Sequence, residues 1–424
     1  MRVLLLNQTF YPDVAATAQY LTDLAHGLAE RGHEVSVVTS RRSYDSPEEC
    51  FPAYERRDGI EIHRVPATGF GKGSRWRRAV DFATFIGSCA VKLILVRRHE
   101  AVVALTSPPL IAFLAACYCR LRGAQLFYWV MDLNPDAAVA AKWLRPDSFA
   151  ARCLEALSRF SFKHSHRIIV LDRFMRDRVI AKGIPVSKIE VIPPWAQDNV
   201  GGWDPQGRAS FRKKHGLTDQ FVIMHSGNHS PCHPLDTVLE AARVLANDSR
   251  FAFCFVGGGS QHGVIRKYAE THQLRHVHTL PYSSMEELAG SLSAADLHVV
   301  VMGDPFVGMI HPCKIYNVLL VGAPILYLGP VDSHIRDIFA EIQDPTHLHQ
   351  VRHGDVESML RTIQKAADTG TRGSIERFRQ IVDRFGAASL LGRTLDLITS
   401  SEVSNHTKPV TPQLNPVGNP EPSV

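Results

Sequence analysis

Short apolar strands alternate with helices along this chain, and the alternation runs twice, once on each side of Pro193-Pro194-Trp195. The pattern predicts strands at 3–7, 34–39, 60–65, 101–105, 125–131, 167–171 and 189–192, with helices over 17–30 and 110–121. Beyond the proline pair and Gly201-Gly202 it restarts, with strands at 221–225, 251–256, 277–280, 297–301 and 325–328 and helices near 234–246, 263–272 and 285–294. Such alternation builds parallel sheets covered by helices on both faces. The expected fold is therefore α/β: two Rossmann-like parallel-sheet domains facing across a cleft. Residues 1–195 form the first domain and 196–374 the second. A helix with arginine-rich and apolar faces, 375–400, returns toward the first domain. The segment 401–424, with five prolines and no apolar pattern, reads as a disordered tail.

A chain of 424 residues with 45% hydrophobic content can fill two separate cores. Its charge is uneven, with a net +7 over residues 1–200 and −2 over 201–424. A basic first half suits an anionic partner such as a membrane surface, lipid phosphate or nucleic acid. The eight cysteines show no paired metal spacing and read as reduced cytosolic thiols. The apolar run at 3–6 is too short for a signal peptide. The mostly apolar segment 82–96, preceded by Arg75, Trp76, Arg77 and Arg78 and followed by Arg97 and Arg98, is too short and too polar to span a bilayer. Two readings stay open for it: a helix buried on the sheet, or an interfacial helix using residues 75–98 on anionic headgroups.

Ligands of such sheets bind beyond the carboxyl ends of the strands, which puts 7–17, 106–109 and 132–136 on one rim. In the second half, Pro312 to Leu328 reads as a turn, a short helix and a buried strand. Pro312 can open the helix, Gly322 suits its end and Pro324 forbids continuation. Lys314 falls in the first turn, where the helix dipole is already positive. A cation there is disfavoured unless an anion lies beside it, and helix starts are ready anion sites. A phosphate-bearing ligand is the natural inference.

Several ordered elements together carry a family resemblance. They are Tyr11-Pro12, Leu28 through Val35 (LAERGHEV), Thr106-Ser107-Pro108-Pro109, Asp132-Leu133-Asn134-Pro135, Val191-Ile192-Pro193, Ser226-Gly227-Asn228, Val256-Gly257-Gly258-Gly259 and the segment from Pro312 to Pro324. Over roughly residues 1–395 the chain resembles the GT-B glycosyltransferases of the retaining family 4, in particular the bacterial branch that builds capsule, exopolysaccharide and O-antigen chains. The resemblance implies transfer of a sugar from a UDP- or GDP-linked nucleotide-sugar to a lipid-linked or saccharide acceptor. It implies neither metal nor cofactor and no nucleic-acid partner, in the cytoplasm or at the inner face of the cell membrane. The donor would sit on Gly227, Asn228, His229, His233, Gly257, Gly258, Gly259, Lys314, Ile315 and Asn317, and the acceptor on Ala16, Thr17, Ser107, Asp132 and Asp136. Lys314 and Asp132 would serve catalysis, the first by meeting charge on the leaving diphosphate, the second by orienting acceptor or sugar.

The departures from the family pattern are specific. Its paired glutamates correspond here to Met309 and Asn317, and its His-Asp pair to Met131-Asp132. The Arg/Lys pair after the second domain's first strand is replaced by Asn228-His229-Ser230-Pro231-Cys232-His233, so diphosphate binding would lean on Lys314, helped by His229 or His233, since a histidine near neutrality can switch between donor and acceptor. The alternative is that these histidines simply pack in a loop. A metal site from His225, His229 and His233 has no carboxylate or cysteine pattern behind it. Asp132 and Asp136 could instead be helix N-caps. The competing functions are a nucleotide-sugar 2-epimerase, which would need carboxylates reaching the sugar, and a non-catalytic nucleotide-sugar-binding module.

Overall fold

The computed structural model describes residues 1–13, 15–43, 48–71, 75–196, 201–369, 378 and 384–400. The first sheet contains β1 (Arg2–Leu6), β2 (Glu34–Ser40), β3 (Tyr54–Arg57), β4 (Ile60–Val65), β5 (Ala101–Ala104), β6 (Gln125–Val130), β7 (Arg167–Val170) and β8 (Ile189–Val191), in the order β3-β4-β2-β1-β5-β6-β7-β8. All its neighbours run parallel except β3, an antiparallel edge strand on β4. The second sheet contains β9 (Phe221–Ser226), β10 (Phe251–Val256), β11 (Val277–Leu280), β12 (Leu297–Val301), β13 (Ile325–Leu328) and β14 (Leu348–Val351), in the order β11-β10-β9-β12-β13-β14, all parallel. Central strands such as β5 and β10 are buried along their whole length, as parallel strands covered on both faces must be. β3 (Tyr-Glu-Arg-Arg) and β14 (Leu-His-Gln-Val) escape the sequence reading because edge strands need little apolar pattern.

The segment after β8 is anchored rather than loose. Trp195 is fully buried, its indole N–H donates to Asp23 at 2.8 Å, and its carbonyl accepts from the Tyr20 hydroxyl at 3.1 Å. Ala196 then pairs with Gly386 of the returning chain. Of the expected helix at 375–400, the part described is Ala387–Thr399; 370–377 and 379–383 lie outside the described residues, as does 401–424. This helix packs on Ala16–Glu30 of the first domain: Leu395 rests on Gly27, and Arg31 pairs with Asp396 at 2.6 Å.

The second domain also grips the first through its segment 304–311. The Leu133 N–H donates to the Met309 carbonyl and the Arg178 guanidinium to the Val307 carbonyl, both at 2.7 Å. Ala137 packs with Phe306 and Ile310 in a small apolar cluster between the domains.

Helix Arg75–Leu95 resolves part of the ambiguity over 75–98. Phe85, Cys89 and Leu93 are buried in the core of the first domain. Trp76, Val91, Ile94 and Leu95 project outward at 60–74% exposure, and Leu121 of the adjoining helix Ile111–Arg122 reaches 85%. Among the described residues no helix is long and apolar enough to cross a membrane.

Candidate active site

Helix Lys314–Val321 starts beyond the carboxyl ends of β9 and β12, close to where the sequence pattern puts it, and ends at Gly322 with φ +69°. The Ile315 N–H is taken by the Pro312 carbonyl and the Tyr316 N–H by that of Cys313. These two N–H groups are thus occupied, and the cation at this helix start is the Lys314 side chain. Its Nζ lies 2.9 Å from His225 Nε2, and a Cβ on Gly227 would stand 3.2 Å from it. His225 Nδ1 donates to the Val299 carbonyl at 2.8 Å, so Nε2 carries the lone pair and the ammonium donates to it. Burial first, then Lys314, holds His225 well below the usual histidine range. Burial likewise draws Lys314 down to about 7. Among the described residues no carboxylate pairs with this cation, an unusual state for a desolvated ammonium.

Two loops form the floor below it. Gly257 and Gly259 have φ of +132° and +113°, a region that side-chain-bearing residues avoid. A Cβ on Gly257 would overlap the Gly227 carbonyl oxygen, and one on Gly259 would overlap Asn228 Oδ1 and the His229 carbonyl. The Gly257–Gly259 and Gly227–His229 backbones are thus packed against each other, locked by the His229 N–H donating to Gly258 at 2.7 Å. Tyr282 lies over Gly257 and Gly258.

His229 and His233 are buried beside the loops and bonded to backbone carbonyls. His229 Nδ1 is held by the Gly258 carbonyl at 3.1 Å and His233 Nδ1 by the Val301 carbonyl at 2.7 Å. Burial, reinforced by Lys314, drops each to about 3, so both are neutral near pH 7. They form a desolvating wall instead. The side chain of Ile315 is fully buried in the core, and its N–H bonds the Pro312 carbonyl at 3.3 Å. Asn317 lies one turn further along the helix, partly buried.

On the first domain, Asp132 follows β6, and its N–H donates to Thr106 Oγ1 at 3.3 Å. Its side chain keeps access to solvent, yet the surrounding protein raises its carboxyl to about 6. It faces the second domain: burial, and then the Asp132 charge, push the thiols of Cys232 and Cys313 to about 11 and 12. The next residue, Leu133, donates its N–H to the Met309 carbonyl of the second domain at 2.7 Å, which sets Asp132 beside the contact between the domains. Ser107 joins the same rim through Asn7, whose Oδ1 accepts the Ser107 N–H at 3.3 Å and whose Nδ2 donates to the Thr9 carbonyl at 2.8 Å. Thr9 in turn bonds Thr17 at 3.0 Å, next to Ala16 at the uncapped start of helix Ala16–Glu30.

Asp136 does not join this group as an acceptor ligand. It opens helix Asp136–Ala140, and its carboxylate is bound by Lys182 at 2.8 Å, an ammonium shared with Glu155. Sequence reasoning put residue 7 on the rim and weighed His225 only as a metal ligand; that His225 would hold Lys314 and Asn7 would tie Ser107 to Thr9 was not legible until the fold brought these partners together.

Comparison with known proteins bears on this arrangement. Residues 16–195 match the family described as Glycosyl transferase 4-like domain. A protein of Escherichia coli K12 named as a colanic acid biosynthesis glycosyl transferase, WcaI, is 26% identical over 342 residues, covering 76% of this chain and 82% of that protein. The Pseudomonas aeruginosa protein named as glycosyltransferase WbjE is 28% identical over 251 residues, covering 58% of this chain and 61% of its own length. Among solved structures, Anabaena HepE in complex with UDP and glucose superposes with a TM-score of 0.68 at 14% identity, over 94% of this chain and all of that one. WaaG, a glycosyltransferase involved in lipopolysaccharide biosynthesis, gives 0.69 at 18% identity over 94% and 99%. With two parallel-sheet domains of GT-B architecture and a glycosyl transferase 4-like region in the first of them, this chain is a glycosyltransferase.

Proposed function

We infer that the enzyme moves a sugar from a nucleotide-sugar, with UDP or GDP as the leaving group, to a lipid-linked or saccharide acceptor in bacterial surface polysaccharide synthesis. The transfer retains anomeric configuration and uses no metal. The observation that carries this reading is Lys314, a desolvated cation without a carboxylate partner among the described residues, set over the packed glycine loops. A diphosphate placed there would satisfy the ammonium as negative charge develops on the leaving group. The relatives named for colanic acid and lipopolysaccharide synthesis, and the HepE complex with UDP, support the same choice of substrate class.

Asp132, across the gap and with its carboxyl near 6, is suited to orient the acceptor hydroxyl or the reacting sugar. Ala16, Thr17 and Ser107 would line the acceptor side. The exposed apolar stripe of Trp76, Val91, Ile94, Leu95 and Leu121, with Arg77, Arg78, Arg97 and Arg98 nearby, fits peripheral contact with an anionic membrane that carries a lipid-linked acceptor.

The test is a panel of nucleotide-sugars screened by thermal shift, followed by incubation of the stabilising donor with lipid-linked and saccharide acceptors. Sugar transfer with release of nucleoside diphosphate is expected. An isomerised free nucleotide-sugar would instead identify an epimerase, and stabilisation with neither transfer nor hydrolysis a binding module.

A further inference from the structure

One cluster among the described residues has metal-like spacing: Asp172, His311 and His334, all buried at the contact between the domains. Its geometry argues against a metal. The rings of His311 and His334 stack 3.8 Å apart at 20°. An imidazole offers its lone pair in the ring plane, so two nearly parallel rings aim side by side and not at one ion about 2.1 Å from each. His311 is also already committed at both nitrogens, to Asp172 Oδ2 at 2.8 Å and to the Tyr316 hydroxyl at 2.7 Å. His334 Nδ1 lies 3.6 Å from the same carboxylate oxygen.

What remains is a hydrogen-bonded chain that crosses between the domains. Asp172 belongs to the first domain, where its other oxygen caps helix Arg173–Ala181 by accepting the Met175 N–H at 2.8 Å. His311 and Tyr316 belong to the second and bracket Lys314 in sequence, three residues before it and two after. Despite the cost of burial, the hydrogen bond from His311, together with His334, holds the Asp172 carboxyl at about 2, so the anion persists in a water-poor contact. Nearby, Arg173 pairs with Asp337 at 2.7 Å, and Gly308 lies against the Phe174 backbone.

We propose that Asp172, His311 and Tyr316 are positioning residues: the first domain, through this chain, fixes the start of the helix that carries Lys314, so that the phosphate contact is correctly placed only when the domains are closed. The proposal rests on the reading of Lys314 as the diphosphate contact.

The test compares Asp172→Asn, which keeps a side chain able to cap the helix, Tyr316→Phe, and the double variant, with Lys314→Ala alongside, in the full chain. A misplaced catalytic group costs turnover more than ground-state binding, so kcat should fall roughly tenfold to a hundredfold while KM for the nucleotide-sugar moves by less than about threefold. The double variant should be no worse than the weaker single, because one chain is broken only once. If Asp172→Asn does not fold, Tyr316→Phe, which deletes a single hydroxyl, decides the question. Lys314→Ala inactive with Asp172→Asn and Tyr316→Phe at wild-type kcat would overturn the positioning role and leave the phosphate reading standing. Lys314→Ala fully active would overturn both. One equivalent of zinc in the purified wild type, lost in His334→Ala, would also overturn the proposal by making the cluster a metal site.

Discussion

Lys314 donates to the imidazole of His225 at 2.9 Å; the bond from His225 to the Val299 carbonyl sets its tautomer, while burial and the Lys314 charge keep it neutral. A lysine given a neutral acceptor in place of a carboxylate is held in position without having its charge cancelled. The charge stays available to an anion arriving from outside. The surrounding histidines add desolvation and no competing anion, which strengthens any electrostatic contact made there.

Replacing Lys314 with alanine should cost on the order of a hundredfold to a thousandfold in kcat, the size found when one preorganised charge-stabilising group is removed. Calorimetry should find UDP binding weakened far more than uridine binding. Equal losses for the two would place the ammonium away from the phosphates.

The pH profile of kcat/KM should be a narrow bell, because it reports groups in the free enzyme. Asp132, raised to about 6, is useful when ionised, so activity rises through that value. Lys314, lowered to about 7, is useful when protonated, so activity falls beyond it. Asp132→Asn should flatten the acid limb. Lys314→Arg, which stays charged, should move the alkaline limb upward; a profile unchanged in both variants would reject the assignment.

Binding of UDP should be coupled to protonation of Lys314. The free lysine titrates at about 7, and a bound diphosphate favours its charged form. At pH 8, where the diphosphate is already fully ionised, binding should take up close to one proton by linkage. Titration calorimetry in buffers of different ionisation heat measures this directly. The uptake at pH 8 should vanish in Lys314→Arg.

Gly257→Ala should lose donor affinity or stability severely. The residue would have to hold φ near +132°, costing about 1–3 kcal/mol, while its methyl group overlaps the Gly227 carbonyl oxygen. Gly263→Ala, where a Cβ meets nothing within 4 Å, is the matched control and should melt near the wild-type temperature.

If helix Arg75–Leu95 rests on a membrane, changing Trp76, Ile94 and Leu95 to serine should abolish co-sedimentation with phosphatidylglycerol vesicles. Arg77→Ser with Arg78→Ser should weaken it mainly at low salt, since screening removes that contribution first. Phe85, Cys89 and Leu93 face the core, so turnover of a soluble acceptor should be unaffected by the outward substitutions. Retained sedimentation in the triple variant would reject the contact.

Local pattern was enough to read most of the two sheets. The strand at 60–65 and the strands from 251 to 328 match the fold residue for residue: 251–256, 297–301 and 325–328 are nearly continuous apolar runs, as strands buried on both faces must be, and 60–65 buries Ile60 and Ile62 in alternation. The helix at Lys314 was legible for a similar reason: Pro312, Gly322 and Pro324 are backbone constraints that act within a few residues. Partner choice was not legible. The sequence offered His229 and His233 as aids to phosphate binding, and burial made them neutral; it offered Asp136 to the acceptor, and Lys182, forty-six residues away, took it. The link from Asp172 to His311 spans 139 residues and two domains. Order along the chain fixes which segments become strands and helices, since those depend on neighbours in sequence. Whether a side chain is charged, paired or free to meet a ligand depends on desolvation and on distant groups, and only the folded arrangement of both domains decides that.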